Sequence, residues 1–259
     1  MSDLPTICSF WHGELTWLER MCIASFLEKG HAFALYAYHD VALPPGAERR
    51  DAATIIPQDR MFFYKRDRSP AVFADLFRLE LMRREAGIWA DCDVLCVKPL
   101  AGLPEYVFGV EESASVNNAV FRCPPDSELL SRLMAVFEPG AIPPGMPWWR
   151  RAEVIVRRAF GAALPAHEMQ FGATGPWPLN YWVTKLGLGR YALPKPVFYP
   201  LDYGTANVLL DPGSTLEVPA ETLAIHLWHS ALTKRGSGTM SMPRPDSFFA
   251  RECGRLGVR

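Results

Sequence analysis

The strongest constraint on the fold lies between residues 6 and 40. Thr6 to Phe10 is a short apolar run. Leu15 to Glu28 has helical spacing, with Leu18, Met21, Cys22, Ser25 and Phe26 on one side, and Gly30 stands where such a helix would end. Ala32 to Tyr38 is a second apolar run, closed by His39-Asp40. Strand, helix and strand in this order predict a parallel sheet with helices on both faces. Pro44-Pro45-Gly46 reads as a loop and Thr54 to Ile56 as a further short strand. The alternation continues with strands at Tyr106 to Val110 and Ala119 to Arg122. A helix from Ser127 to Phe137, capped by Asp126 or Ser127, and another from Glu153 to Phe160 flank a proline and glycine loop. Beyond about Ala163 the pattern decays. The expected plan is one α/β domain over residues 1–259, with a regular half at 1–125 and a loop-rich half at 126–259 closing over it.

The bulk properties exclude several classes of function. Hydrophobic residues at 49% and charged residues at 21% suit a soluble globular enzyme. A net charge of −1 without long runs of one sign calls for neither a nucleic-acid partner nor an anionic membrane. Arg150, Arg151, Arg157 and Arg158 form a modest basic cluster, read as a solvated helix face, with acceptor or lipid-phosphate binding as the alternative. No apolar run approaches the roughly 18 residues of a membrane span, and Met1 to Thr6 lacks the features of a signal peptide. A cytoplasmic protein is therefore expected. Its scattered cysteines, Cys8, Cys22, Cys92, Cys96, Cys123 and Cys253, are expected to be free thiols.

Asp91-Cys92-Asp93 carries the chemistry. Alone an Asp-x-Asp is weak evidence. Here it interrupts a strand-like run, between Ile88-Trp89-Ala90 and Val94-Leu95-Cys96-Val97. Two carboxylates at i and i+2, where a strand ends or bends, can hold one hard cation and leave positions open for phosphate oxygens. The competing reading is a pair of surface turn residues, for which the apolar flanks are unneeded. The preceding helix, Ala71 to Glu85, is apolar on most sides yet carries Asp75 and Arg78 at i and i+3. Buried charges must be paired. Either the two stabilise each other, or both face a pocket where one accepts and the other donates hydrogen bonds to sugar hydroxyls.

The stretch from Phe73 to Val94, with Asp75-Leu-Phe-Arg78, Gly87 and Asp91-Cys-Asp93, resembles the signature of the DXD-containing glycosyltransferases. That family groups yeast initiating α-1,6-mannosyltransferases, animal α-1,4-galactosyltransferases, bacterial capsular polysaccharide transferases and the glucosylating domains of large bacterial toxins. Ala86-Gly87 replaces a Gly-Gly and Trp89 stands where tyrosine is usual, so no charged group is lost. Weaker likenesses follow in the right order. They are Phe10-Trp11-His12-Gly13, which in the family meets the nucleotide base, Asn117-Asn118-Ala119 near the donor sugar, Thr174-Gly175-Pro176 before a helix, and Ala224-Ile225-His226-Leu227-Trp228, whose histidine is near the metal.

The resemblance implies a GT-A-like, Rossmann-related fold with a mixed, mostly parallel sheet. It also implies a retaining, metal-dependent hexosyltransferase of polysaccharide biosynthesis that moves a hexose from a UDP-sugar or another nucleotide diphosphate sugar to a saccharide or glycolipid acceptor. Residues 1–125 would bind the donor and 126–259 the acceptor. Phe10, Trp11, Asp75, Arg78, Trp89, Asp91, Cys92 and Asp93 would form the nucleotide-sugar site, and Trp11 would stack on the base or sit in the core. Asp75, Arg78 and Asn118 are the catalytic candidates. Asp91, Asp93 and His226 would hold Mn²⁺ or Mg²⁺, with His229 competing for the histidine's place: His226 shares a face with Trp228 in a strand and with His229 in a helical turn. Glu111 and Glu112 are candidate nucleophiles by position only. Lys234 and Arg235, in a Gly-Ser-rich stretch, would bring a cation to the diphosphate or form a plain solvated loop. Two other readings are a haloacid-dehalogenase-like phosphatase, which places its Asp-x-Asp after the first strand, and an inactive sugar-nucleotide-binding module.

Overall fold

The computed structural model describes residues 4–111, 115–170, 172–233 and 240–258. Among the described residues nine strands form two sheets: β1 (Ile7–Phe10), β2 (Phe33–Ala37), β3 (Glu48–Asp51), β4 (Ile88–Ala90), β5 (Val94–Cys96), β6 (Val107–Val110), β7 (Val116–Arg122), β8 (Ala192–Leu193) and β9 (Ala224–His226). The helices are α1 (Trp17–Glu28), α2 (Ala71–Arg83), α3 (Glu128–Met134), α4 (Trp148–Ala159), α5 (Pro176–Lys185), α6 (Lys195–Phe198), α7 (His229–Leu232) and α8 (Phe248–Arg255). The main sheet runs β3-β2-β1-β4-β7-β6-β8. Its first four strands are parallel, β7 is antiparallel to both neighbours, and β8 lies parallel to β6. This is the mixed, mostly parallel, helix-flanked α/β sheet expected of a GT-A-like fold. β8 comes from the loop-rich half, so strands of both halves share one sheet.

Alternation along fully buried strands separates the two faces. Cys8 and Phe10 of β1, Ala34 and Tyr36 of β2 and Trp89 of β4 pack with α2, α3 and α5. Ile7, Phe33, Leu35, Ile88 and Ala90 pack on the other face with α1 and α6. Two local devices fix the N-terminal crossover. Thr16 and Glu19 form a reciprocal capping box at the start of α1. Gly87, at φ +135°, lets β4 begin against Thr6, where a Cβ would stand 2.1 Å from the Thr6 carbonyl oxygen.

The third strand lies elsewhere than expected. Residues 52–54 form a 3₁₀ turn, and the strand is the preceding Glu48–Asp51. It is a solvent-facing edge whose charged side chains have no core to meet, so no apolar run marks it. Helix α4 likewise starts earlier than the expected Glu153, at Trp148. All six cysteines are buried free thiols, as expected. Burial pushes those of Cys8, Cys96 and Cys123 up to about 12, so they behave as small apolar groups. No described helix is long and apolar enough to cross a membrane.

Candidate active site

The Asp-x-Asp occupies the corner where the chain leaves the main sheet. β4 ends at Ala90, the Asp91 amide donates to Ala119 of β7, and the Val94 amide closes a turn onto the Asp91 carbonyl. β5 then pairs antiparallel with β9, in the register Val94 opposite His226. That register brings the imidazole to the carboxylates. His226 Nε2 lies 3.3 Å from Asp93 Oδ2, and one ligand atom from each of Asp91, Asp93 and His226 falls within 4.8 Å of the others. The corner sits at the carboxyl ends of the parallel strands, where open α/β sheets bind ligands.

The His226 and His229 rings are placed differently. The His229 ring turns away to Glu19, at 3.6 Å, while its backbone amide donates to Asp93 Oδ2 at 2.7 Å. Trp228 makes this possible by adopting a left-handed conformation at φ 59°, a strained one for a bulky side chain. Its ring lies against His226, with centroids 4.1 Å apart, and its indole nitrogen donates to the Leu201 carbonyl.

Arg78 links the helix to the corner. It is 5% exposed, and its two terminal nitrogens donate at 2.8 Å to Asp75 Oδ1 and to Asp91 Oδ1. The two residues are ion-paired, and both also line one cleft with Asn118, Thr174 and Gly175. The cleft has about 10 Å³ of free space, room for about one water. Trp89 lies under the guanidinium, 4.7 Å from its centroid, and donates to Asp91 Oδ1 at 2.6 Å.

Charge explains why a cation suits this place. Asp75 and Asp91 share the Arg78 guanidinium while Asp93 faces the His226 imidazole, so three carboxylates meet one permanent cation. Burial and the neighbouring Asp93 raise the Asp91 carboxyl, although Arg78 opposes them. Burial would also raise Asp93, but the facing His226 and the His229 amide together outweigh it and hold this carboxyl well below its usual range. Burial would lower His226, but Asp93 raises it instead. Among the described residues the buried His226 Nδ1 has no hydrogen-bond partner. Two carboxylates and an imidazole, matching a divalent charge, fit a divalent metal; the same set does not distinguish manganese from other first-row ions.

The other expected residues lie in two layers. Trp11 is half-buried at the carboxyl end of β1, edge-on to His229 at 6.0 Å. Phe10 is buried, stacked on Phe77 with centroids 4.6 Å apart and edge-on to Phe73. Cys92 is buried beside Ser9, its sulfur 3.1 Å from the Ser9 hydroxyl. Asn118 lines the cleft, whereas Asn117 is tied to Glu111 and Tyr199. Glu112, Lys234 and Arg235 lie outside the described residues.

Thr174 and Gly175 have a part that their place in a weak likeness did not specify. The Thr174 hydroxyl donates to Asp75 Oδ2 at 2.9 Å, and a Cβ on Gly175 would stand 2.9 Å from that same oxygen. The Thr-Gly-Pro spelling, a donor followed by a residue without a side chain, was the available signal. Gly175→Ala is expected to displace the Asp75 carboxylate and to cost about 1–3 kcal/mol through overpacking. Thermal melting checks this, and a variant that melts with wild type would show that the carboxylate can shift freely.

No family model matches the chain, and no curated protein matches it. Among solved structures it is similar to the PaToxG glycosyltransferase, at 12% identity and a TM-score of 0.46, over 73% of this chain and 71% of that one. A likeness at that distance carries no functional argument.

Proposed function

We propose that this chain is a metal-dependent glycosyltransferase that moves a hexose from a nucleotide diphosphate sugar, a UDP-sugar favoured, to a hydroxyl of a saccharide or glycolipid acceptor with retention of configuration. One observation carries the reading: Asp91, Asp93 and His226 converge at the carboxyl edge of the sheet while Arg78 ties Asp91 to Asp75. A bound divalent cation would supply Lewis-acid neutralisation of the leaving diphosphate. Asp93 and His226 would hold it, with Asp91 offering the oxygen that Arg78 and Trp89 leave free. The imidazole favours Mn²⁺ over Mg²⁺, which prefers oxygen donors.

The remaining residues bind and orient. Arg78 fixes the directions of both carboxylates through its planar fork. Asp75, steadied by Thr174, accepts hydrogen bonds from sugar hydroxyls, and Asn118 faces the same cleft. A sugar needs more room than the space for one water, so α5 and the Thr174-Gly175 turn must give way as donor enters. Trp11 bounds the space for the base. Retention requires no base from the chain when the leaving diphosphate accepts the acceptor's proton.

The phosphatase reading fits less well, because those enzymes carry their Asp-x-Asp after the first strand, and here it follows β4. The test is to incubate the purified chain with α-linked UDP- and GDP-sugars in Mn²⁺, Mg²⁺ or EDTA, follow nucleoside diphosphate release, and assign the anomeric proton of early product by NMR. Mn²⁺-dependent release with an α-product is expected. Turnover unaffected by EDTA would remove the metal role, a β-product would remove retention, and metal and UDP binding without turnover would indicate a binding module.

A further inference from the structure

Helix α4 is built the wrong way round for a helix of a soluble protein. Only Val154 is buried, against Met146, Met169 and Ala173. At about 100° per residue, Ile155, Trp148, Val156, Trp149 and Phe160 fall on one arc of roughly 140°, on the opposite side from Val154. They are not packed inward. Trp148 is 77% exposed, Trp149 57% and Phe160 85%. Arg151 and Arg158 border this arc on one edge, and Arg150 and Arg157 on the other. Glu153 pairs with Arg150 and Arg157, and among the described residues Arg151 and Arg158 have no acidic partner. A helix with a strong apolar face of aromatic residues, low overall hydrophobicity and arginines flanking that face has the composition of helices that lie in a membrane interface.

We propose that α4 docks the protein onto an anionic membrane surface, with Trp148, Trp149 and Phe160 entering the headgroup boundary and the two arginine pairs meeting lipid phosphates. Charge complementarity selects this occupant over a second copy of the chain. A symmetric contact would set the same face against itself and bring arginines against arginines, whereas four arginines against one glutamate suit an anionic sheet. The net charge of −1 hides this feature because the cations are concentrated on one helix. Val154 packs on Ala173, which immediately precedes the Thr174-Gly175 wall of the cleft, so docking would hold that wall near the lipid. On the glycosyl-transfer reading this favours a lipid-borne acceptor; the docking itself does not depend on that reading.

The experiment is co-sedimentation of the full chain with vesicles of phosphatidylcholine alone or mixed equally with phosphatidylglycerol, with tryptophan fluorescence recorded. It needs neither donor nor turnover, so its failure is distinct from failure of the proposed function. Binding to the mixed vesicles with a blue shift is expected, with weak binding to phosphatidylcholine. Trp148→Ser with Trp149→Ser and Phe160→Ser should abolish both. Arg151→Gln with Arg158→Gln should weaken binding to the mixed vesicles about thirtyfold, since each such cation contributes about fivefold. These side chains are exposed, so the melting temperatures should match wild type. Wild type that stays in solution with the mixed vesicles overturns the proposal, as does equal binding to both vesicle types or unchanged binding by the triple variant. A vesicle-free dimer that the triple variant dissolves would assign the face to a second copy and also overturn it.

Discussion

Asp93→Asn is expected to abolish divalent-cation binding and to lower donor turnover by at least about a hundredfold. Asp93 is the most committed ligand of the cluster. One oxygen faces His226 and accepts the His229 amide, and among the described residues no arginine pairs with it. An amide can keep the backbone hydrogen bond but is a poor ligand for a hard cation, so the variant should fold. Calorimetric titration with Mn²⁺ and donor turnover give the comparison; wild-type affinity in the variant would contradict the assignment.

The metal-free protein should also carry a pH signature of this pair. Asp93 is depressed in the fold, so its contribution to stability is present above the unfolded carboxyl range and is lost as pH falls toward the native value. His226 is raised, so its contribution is full below the ordinary imidazole range and is lost as pH rises through the native value. Asp93→Asn should remove the first dependence and weaken the second, since Asp91 also raises His226, as melts across pH would record.

Arg78→Met is expected to destabilise the protein by about 3 kcal/mol, because it leaves two part-buried carboxylates without their shared cation. For a chain of this size that lowers Tm by roughly 6–12 °C. Turnover should fall as well, since Asp75 and Asp91 lose the fork that orients them. Arg78→Lys should recover part of the stability but little turnover, because one ammonium cannot reproduce two fixed donor directions. Arg78→Met combined with Asp75→Asn should lose less than the sum of the single losses, by the coupling a double-mutant cycle measures. Additive losses would mean that Asp75 and Arg78 act independently.

How much of this was legible depended on the range of each signal. Asp75 and Arg78 could be paired from the sequence because three residues of helix bring them together in an apolar setting, and the structure adds only the second partner, Asp91. His226 could not be placed by local pattern. Its position follows from the pairing of β5 with β9, a contact between distant segments, and the choice between His226 and His229 turned on the left-handed Trp228. Phe10 shares a segment with Trp11, but alternation in β1 points it toward α2, into an aromatic cluster. Trp89 and Cys92 are similarly buried, one under Arg78 and the other against Ser9. The edge strand Glu48–Asp51 was illegible because it buries nothing, and the start of α4 because its apolar side faces outward.

The central claim is that Asp91, Asp93 and His226 form a metal site serving a nucleoside diphosphate. Crystals grown with Mn²⁺ and UDP, with diffraction collected at the manganese absorption edge, test it most directly. The expected result is an anomalous peak bounded by Asp93, His226 and Asp91, with diphosphate oxygens completing its coordination. UDP bound with no peak at that corner, or a peak only elsewhere, would contradict it.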